Sequence, residues 1–141
     1  MIYSLLKSIT KLSLKVYFRK IHIKGLENIP KDGPLIIVSN HPSSFLDPVS
    51  IATLVNKKIS FLAKGSLFEN KIVSKILKLL NMVPIYRAQD NPKMLGKNKA
   101  VFKGCYDKLS SNGTLLIFPE GTSEHERKLR KIKTGAARIA L

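Results

Sequence analysis

From Ile2 onward, apolar residues return at spacings of three and four: Ile2, Leu5, Leu6, Ile9, Leu12 and Val16. Lys7, Lys11, Lys15 and Arg19 return every fourth residue. Both series predict a helix, amphipathic along its length. Each step of four advances about 400°, so the four cations drift only about 120° around the axis. Apolar and cationic residues therefore gather on separate sides, as on a helix lying in a membrane interface. The same pattern also fits a surface helix that packs its apolar side on its own domain. We place the end of this segment near residue 22, and the body of the chain over 23–141.

Beyond it, Asn28, Pro30, Asp32, Gly33 and Pro34 mark a turn-rich connection. Leu35 to Ser39 is a short, continuous apolar run rich in β-branched residues, which reads as a strand buried on both faces. A helix is expected from Asp47-Pro48 to about Val55, and a second strand over Ile59 to Ala63. Leu67, Phe68, Ile72, Ile76, Leu77 and Leu80 keep helical spacing, predicting an amphipathic helix over 66–80. Met82 to Tyr86 reads as a third strand and 92–110 as a helix closing before Asn112-Gly113. Thr114 to Phe118 is the fourth strand, ending at Pro119, and a last helical stretch runs from about Gly135 to Leu141. Strands alternating with helices predict an α/β fold: a mixed, largely parallel sheet flanked by helices, behind the N-terminal amphipathic helix. The last stretch has no C-capping signal, which reads as a chain cut before its catalytic domain is complete.

Composition adds a constraint on partners. The chain has 141 residues, with 25 Lys+Arg against 9 Asp+Glu and a formal net charge of +16. With 44% hydrophobic and 24% charged residues it is globular, not a disordered basic tail. The charge calls for an anionic partner: nucleic acid, a phosphorylated small molecule or an acidic membrane surface. The basic residues are dispersed and no nucleic-acid recognition motif appears, so nucleic acid is not expected. One cysteine forms no internal disulfide, and Cys and His are too few for a zinc framework, so no metal is expected. No apolar run approaches the roughly 18 residues that span a bilayer, and the first segment, its lysines spread along it, does not read as a secretory signal.

The candidate chemistry lies after two of the expected strands. Pro42 keeps His41 out of helical geometry, at a strand end or loop. A histidine titrates near neutral pH, and a carboxylate on one ring nitrogen would fix its tautomer and stabilise the imidazolium. Asp47 is the nearby carboxylate. On a straight helix it would point about 120° away from His41, so their pairing needs a bend between them. An equally ordinary reading makes Asp47 a helix N-cap followed by proline. Phe118-Pro119-Glu120-Gly121-Thr122 follows the fourth strand, beyond the carboxyl ends where open α/β sheets gather ligands. Gly121 permits close backbone approach, and Glu120 accepts from a hydroxyl or an arginine. Arg87 offers a planar fork for phosphate, or is a solvated charge at a strand end. Lys133 to Arg138 either opens a helix whose free amides bind an anion, or packs closely through its glycine and alanines. Ser43 and Ser44 lie near His41, but no Gly-x-Ser-x-Gly elbow supports an acyl-serine route. Cys105 falls in an amphipathic stretch and reads as structural.

Taken in order, these segments resemble the glycerophospholipid acyltransferases, the superfamily of bacterial 1-acylglycerol-3-phosphate acyltransferases and their glycerol-3-phosphate acyltransferase relatives. Asn40-His41 through Asp47 is similar to the first motif, Val83 to Arg87 to the second and Phe118 to Thr122 to the third. The likeness is close over residues 39–122 and looser from Lys133 to Leu141. The family usually places four residues between its histidine and aspartate. Here there are five, Pro42 to Leu46. In this the chain looks like certain glycerol-3-phosphate or dihydroxyacetone-phosphate acyltransferases, and Arg87-Ala88-Gln89-Asp90 leans the same way. The family's fourth motif, an apolar segment with proline, would follow beyond Leu141.

The resemblance implies transfer of a fatty acyl group from acyl-CoA or acyl-carrier protein to a glycerol-phosphate acceptor, with no further cofactor. Foremost among acceptors is 1-acylglycerol-3-phosphate, giving phosphatidic acid; glycerol 3-phosphate or dihydroxyacetone phosphate is the alternative, as is an inactive membrane-binding fragment. It implies His41 as general base with Asp47 orienting it, and Arg87, Glu120, Gly121, Thr122 and Lys133 as acceptor-binding residues. A peripheral or monotopic place on the cytoplasmic face of a membrane is the matching expectation.

Overall fold

The computed structural model describes residues 2–123 and 128–141. The first helix, α1, runs Ile2–Tyr17. Strand β1 is Leu35–Val38, α2 Leu46–Leu54, β2 Ile59–Lys64, α3 Lys71–Leu79 and β3 Met82–Ile85. Helix α4 (Asn98–Ser110), β4 (Thr114–Ile117) and α5 (Gly135–Ala140) complete the order. The four strands form one sheet in the order β1-β4-β2-β3, and all three neighbouring pairs are parallel. Every strand therefore ends on the same edge of the sheet.

Alternation along β2 and β4 builds two apolar layers. Val55, Ile59, Phe61 and Leu116 pack on one face with Ile51, Ala52 and Tyr3 of α2 and α1. Cys105, Leu115, Ile117 and Ile139 pack on the other with residues of α4 and α5. The central strand β4 is buried along its whole length. Strand β1 departs from expectation: it lies at the sheet's edge, so its residues are half-buried and Val38 is exposed.

Two helices start later than their periodicity suggests. Residues 65–68 form a 3₁₀ turn, and α3 begins only after Asn70, whose side chain accepts from the N–H groups of Ile72 and Val73. An asparagine that satisfies two free amides makes a helix start, not a helix interior. Likewise 92–97 is 3₁₀, opened by Asn91 and Pro92, before α4. The turn expected at Asn112-Gly113 is present, with Asn112 at φ 58°.

Helix α1 packs on α2 by an unexpected side. Tyr3, Lys7, Thr10 and Leu14 sit at spacings of three and four and are half-buried or buried. The Tyr3 hydroxyl accepts from the Ile59 amide at 3.2 Å, and Lys7 Nζ donates to the Val55 carbonyl at 2.5 Å. Burial pushes the Lys7 ammonium below its ordinary range, with repulsion from Lys11 adding to the effect. Lys7 is thus a packing residue, not part of a free cationic stripe. Leu5, Leu6, Ile9, Leu12 and Val16 remain exposed, so among the described residues that apolar side does not pack on the body. Among the described residues, no helix is long and apolar enough to cross a membrane.

Candidate active site

The chain leaves β1 at Val38 and bends through residues 42–45 before α2 starts at Leu46. That bend brings His41 Nδ1 to 3.0 Å from Asp47 Oδ2. The same carboxylate oxygen accepts the Ser43 N–H at 2.7 Å. Asp47 therefore lies inside the first turn of α2 and is not its cap; Phe45 holds that position without a side-chain bond. The five-residue spacing is absorbed by the bend, so the extra residue does not separate the pair. A carboxylate oxygen in this bond accepts, so the ring meets it with an N–H at Nδ1 and turns Nε2 away from Asp47. Both side chains are largely shielded, 15% and 19% exposed.

Phe118 follows β4 on the same face as Leu116, and its ring stacks on His41. The Ser44 and Ser123 hydroxyls bond to each other across the same gap, joining the first and third motif segments. Pro119 and Glu120 are buried, Glu120 at 8% exposure, and Thr122 is half-buried.

Arg87 follows β3, two strands from β4, yet its Nη1 donates to the Gly121 carbonyl. The segment crosses the end of β2 closely, at Gly65. A Cβ there would lie 2.6 Å from the Tyr86 ring. Asn98 clamps the approach from α4: its Nδ2 donates to the Tyr86 carbonyl at 2.6 Å, and its Oδ1 accepts from the Tyr86 N–H at 2.9 Å. Gly121 has φ +71°, and a Cβ on it would lie 2.6 Å from Lys133 Nζ. Lys133 donates its N–H to the Pro119 carbonyl at 2.9 Å and its Nζ to Gln89 Oε1 at 2.9 Å. Positions after β1, β3 and β4, with Lys133, thus meet at one edge of the sheet.

Sequence reasoning missed four contributors: Phe118 as a stacking partner, Ser123, Asn98 and Lys64, whose Nζ lies 3.1 Å from Asp90. Only Phe118 carried a signal, since alternation from Leu116 points it to the α2 face. Among the described residues no group of His, Cys, Asp and Glu is arranged to hold a metal ion.

The histidine–carboxylate pair and the basic cluster thus lie beyond the carboxyl edge of a parallel sheet, where open α/β folds bind their ligands. The chain belongs to the Acyltransferase family, whose model matches residues 20–141. It is 33% identical over 130 residues to the 1-acyl-sn-glycerol-3-phosphate acyltransferase LPAT1 of Arabidopsis thaliana chloroplasts, covering 91% of this chain and 35% of that protein. A 1-acyl-sn-glycerol-3-phosphate acyltransferase of Borreliella burgdorferi is 29% identical over 140 residues, covering 99% of this chain and 53% of the relative. The crystal structure of the 1-acyl-sn-glycerophosphate acyltransferase PlsC from Thermotoga maritima matches with a TM-score of 0.73 at 27% identity, over 98% of this chain and 52% of that one. The chain thus spans between a third and just over half of the relatives' lengths.

Proposed function

We propose that this chain carries the acyl-transfer centre of a 1-acylglycerol-3-phosphate acyltransferase, taking its acyl group from acyl-CoA or acyl-carrier protein. The observation that carries the reading is the His41–Asp47 pair: Nδ1 is tethered to the carboxylate, so Nε2 is left as the base. In the proposed step, Nε2 takes the proton of the acceptor's free hydroxyl as that oxygen attacks the thioester carbonyl. The tetrahedral intermediate collapses with cleavage of the carbon–sulfur bond. The leaving thiolate recovers the proton from the imidazolium, which Asp47 stabilises meanwhile. Arg87, Lys133 and the Glu120–Thr122 segment receive the phosphorylated end of the acceptor. The names of the relatives support 1-acylglycerol-3-phosphate over glycerol 3-phosphate as acceptor.

Acceptors and products of this class are amphiphiles, so the same reading places the chain peripherally on an anionic membrane surface, at its cytoplasmic face. The exposed Leu5, Ile9, Leu12 and Val16 of α1 support that placement, beside exposed Lys11 and Lys15. So do Ile72, Ile76 and Leu79 of α3, exposed among Lys71, Lys75 and Lys78.

The test is a product assay on vesicle-bound protein supplied with acyl-CoA and either lysophosphatidate or glycerol 3-phosphate. Phosphatidic acid from the first acceptor supports the reading. Lysophosphatidic acid from glycerol 3-phosphate alone assigns the other acceptor, and thioester loss with neither product removes the acyl-transfer function.

A further inference from the structure

Arg87 is already paired within its own chain. Its Nε donates to Asp90 Oδ2 at 2.5 Å and its Nη2 to Asp90 Oδ1 at 2.9 Å, while Nη1 serves the Gly121 carbonyl. The first two bonds form the parallel fork that a guanidinium makes with a phosphate as readily as with a carboxylate. Lys64 Nζ lies 3.1 Å from the same Oδ1, so one carboxylate sits between two cations. The hydrogen bond from Arg87 holds the Asp90 carboxyl below its usual range, and Lys64 adds to that effect. A cavity of about 330 Å³ opens beside them, lined among others by Lys64, Gly65, Ser66, Arg87 and Asp90. This is the small end of the range for ligand cavities.

We propose that Asp90 is an internal anion that fills the Arg87 fork in the free protein, and that the acceptor's phosphomonoester displaces it. The proposal rests on the reading of Arg87 as the acceptor's phosphate ligand. Asp90 stands in an exposed turn closed by its own N–H on the Arg87 carbonyl at 3.0 Å. Its side chain can swing to water without disturbing either apolar layer. A phosphomonoester near neutral pH carries nearly two charges and three acceptor oxygens, against one charge and two oxygens on the carboxylate. It therefore wins the fork, whereas a neutral headgroup does not. Asp90 in this way sets a threshold of charge for the acceptor and makes the site selective for phosphorylated glycerols.

Calorimetric titration of glycerol 3-phosphate into the intact chain tests this, at fixed pH and ionic strength, beside Asp90→Asn and Arg87→Ala. Asparagine keeps the size of the side chain and one acceptor atom but removes the competing charge. Losing an exposed ion pair of ordinary strength is worth about 1.4- to fivefold in affinity. Asp90→Asn is therefore expected to bind glycerol 3-phosphate tighter by that factor, and Arg87→Ala about tenfold weaker or worse. Damage to the site does not raise affinity, so tightening separates competition from a structural role. If Arg87→Ala weakens binding while Asp90→Asn leaves it unchanged or weaker, Asp90 only positions the fork and the proposal falls. If Arg87→Ala changes nothing, the reading of Arg87 falls first and takes the proposal with it. A parallel titration with coenzyme A should be indifferent to Asp90→Asn. Tightening there, and not with glycerol 3-phosphate, would give the displaced position to the donor and overturn the assignment to the acceptor.

Discussion

The imidazole of His41 and the ring of Phe118 lie face to face, their centroids 3.9 Å apart and their planes 16° from parallel. Phe118 also packs against the layer of Val55, Ile59, Phe61 and Leu116. One aromatic side chain thus ties the orientation of the proposed base to the core. Asp47 fixes the ring at one nitrogen, and Phe118 fixes its plane.

Replacing Phe118 by Leu keeps apolar volume and removes the stack. Such stacks are worth about 0.5–1.5 kcal/mol, which corresponds to roughly two- to tenfold in rate if the ring must be held for proton transfer. Steady-state kinetics should show kcat reduced by that factor with both KM values nearly unchanged. An unaltered kcat would mean that Asp47 alone orients the base.

Gly121→Ala meets two obstacles, the φ of +71° and Lys133 Nζ at 2.6 Å from the new methyl. Left-handed backbone costs a non-glycine residue about 1–2 kcal/mol. Thermal unfolding should shift down by roughly 3–8 °C in a chain of this size. The acceptor KM should rise as well, because Lys133 is pushed aside. A variant with unchanged melting temperature and KM would show that neither the turn nor the lysine matters here.

Element types were readable because α/β alternation writes itself in periodicity: four apolar runs became four strands, and the segments between them helices. What the sequence left open was settled by contacts distant in the chain. Lys7 reads as one of four equivalent cations, yet the Val55 carbonyl, 48 residues away, draws it into the packing face. Asn70 and Asn98 look like interior positions of helical runs, and only their backbone partners make them boundaries. The motif residues were legible as a set, but their convergence was not. Arg87 and Gly121 meet because the sheet order brings β3 back to β4 across β2, which local pattern does not encode. The pairing of His41 with Asp47 required a bend, and the two prolines flanking it were the visible hint.

The exposed apolar side of α1 leads to a pair of opposite outcomes. Replacing Leu5, Ile9 and Leu12 by Ser should leave the melting temperature nearly unchanged, since these residues touch little of the body. Sedimentation with anionic vesicles should nevertheless fall sharply. Lys11 and Lys15 to Gln should weaken vesicle binding in a salt-dependent way. Lys7→Gln should instead loosen α1 from α2 and lower stability. Vesicle binding that survives the Ser substitutions would assign the membrane contact to another surface.

Cys105 is fully buried in α4, and burial pushes its thiol up from the usual range. A raised pKa means less thiolate near neutral pH, so reactivity stays low until the medium is alkaline or the chain opens. At pH 8 the folded chain should react with a thiol reagent at least about a hundredfold more slowly than the chain in denaturant. Fast labelling under native conditions would contradict the packing of α4 on the sheet.

The central claim is that His41 is the base, and the most direct measurement compares His41→Ala with the wild type in single-turnover acyl transfer on vesicles. A general base typically contributes about 10²–10⁴-fold. The account predicts a loss of that size with melting temperature, vesicle binding and acceptor affinity preserved. Acyl transfer by His41→Ala within a few-fold of the wild-type rate would contradict it.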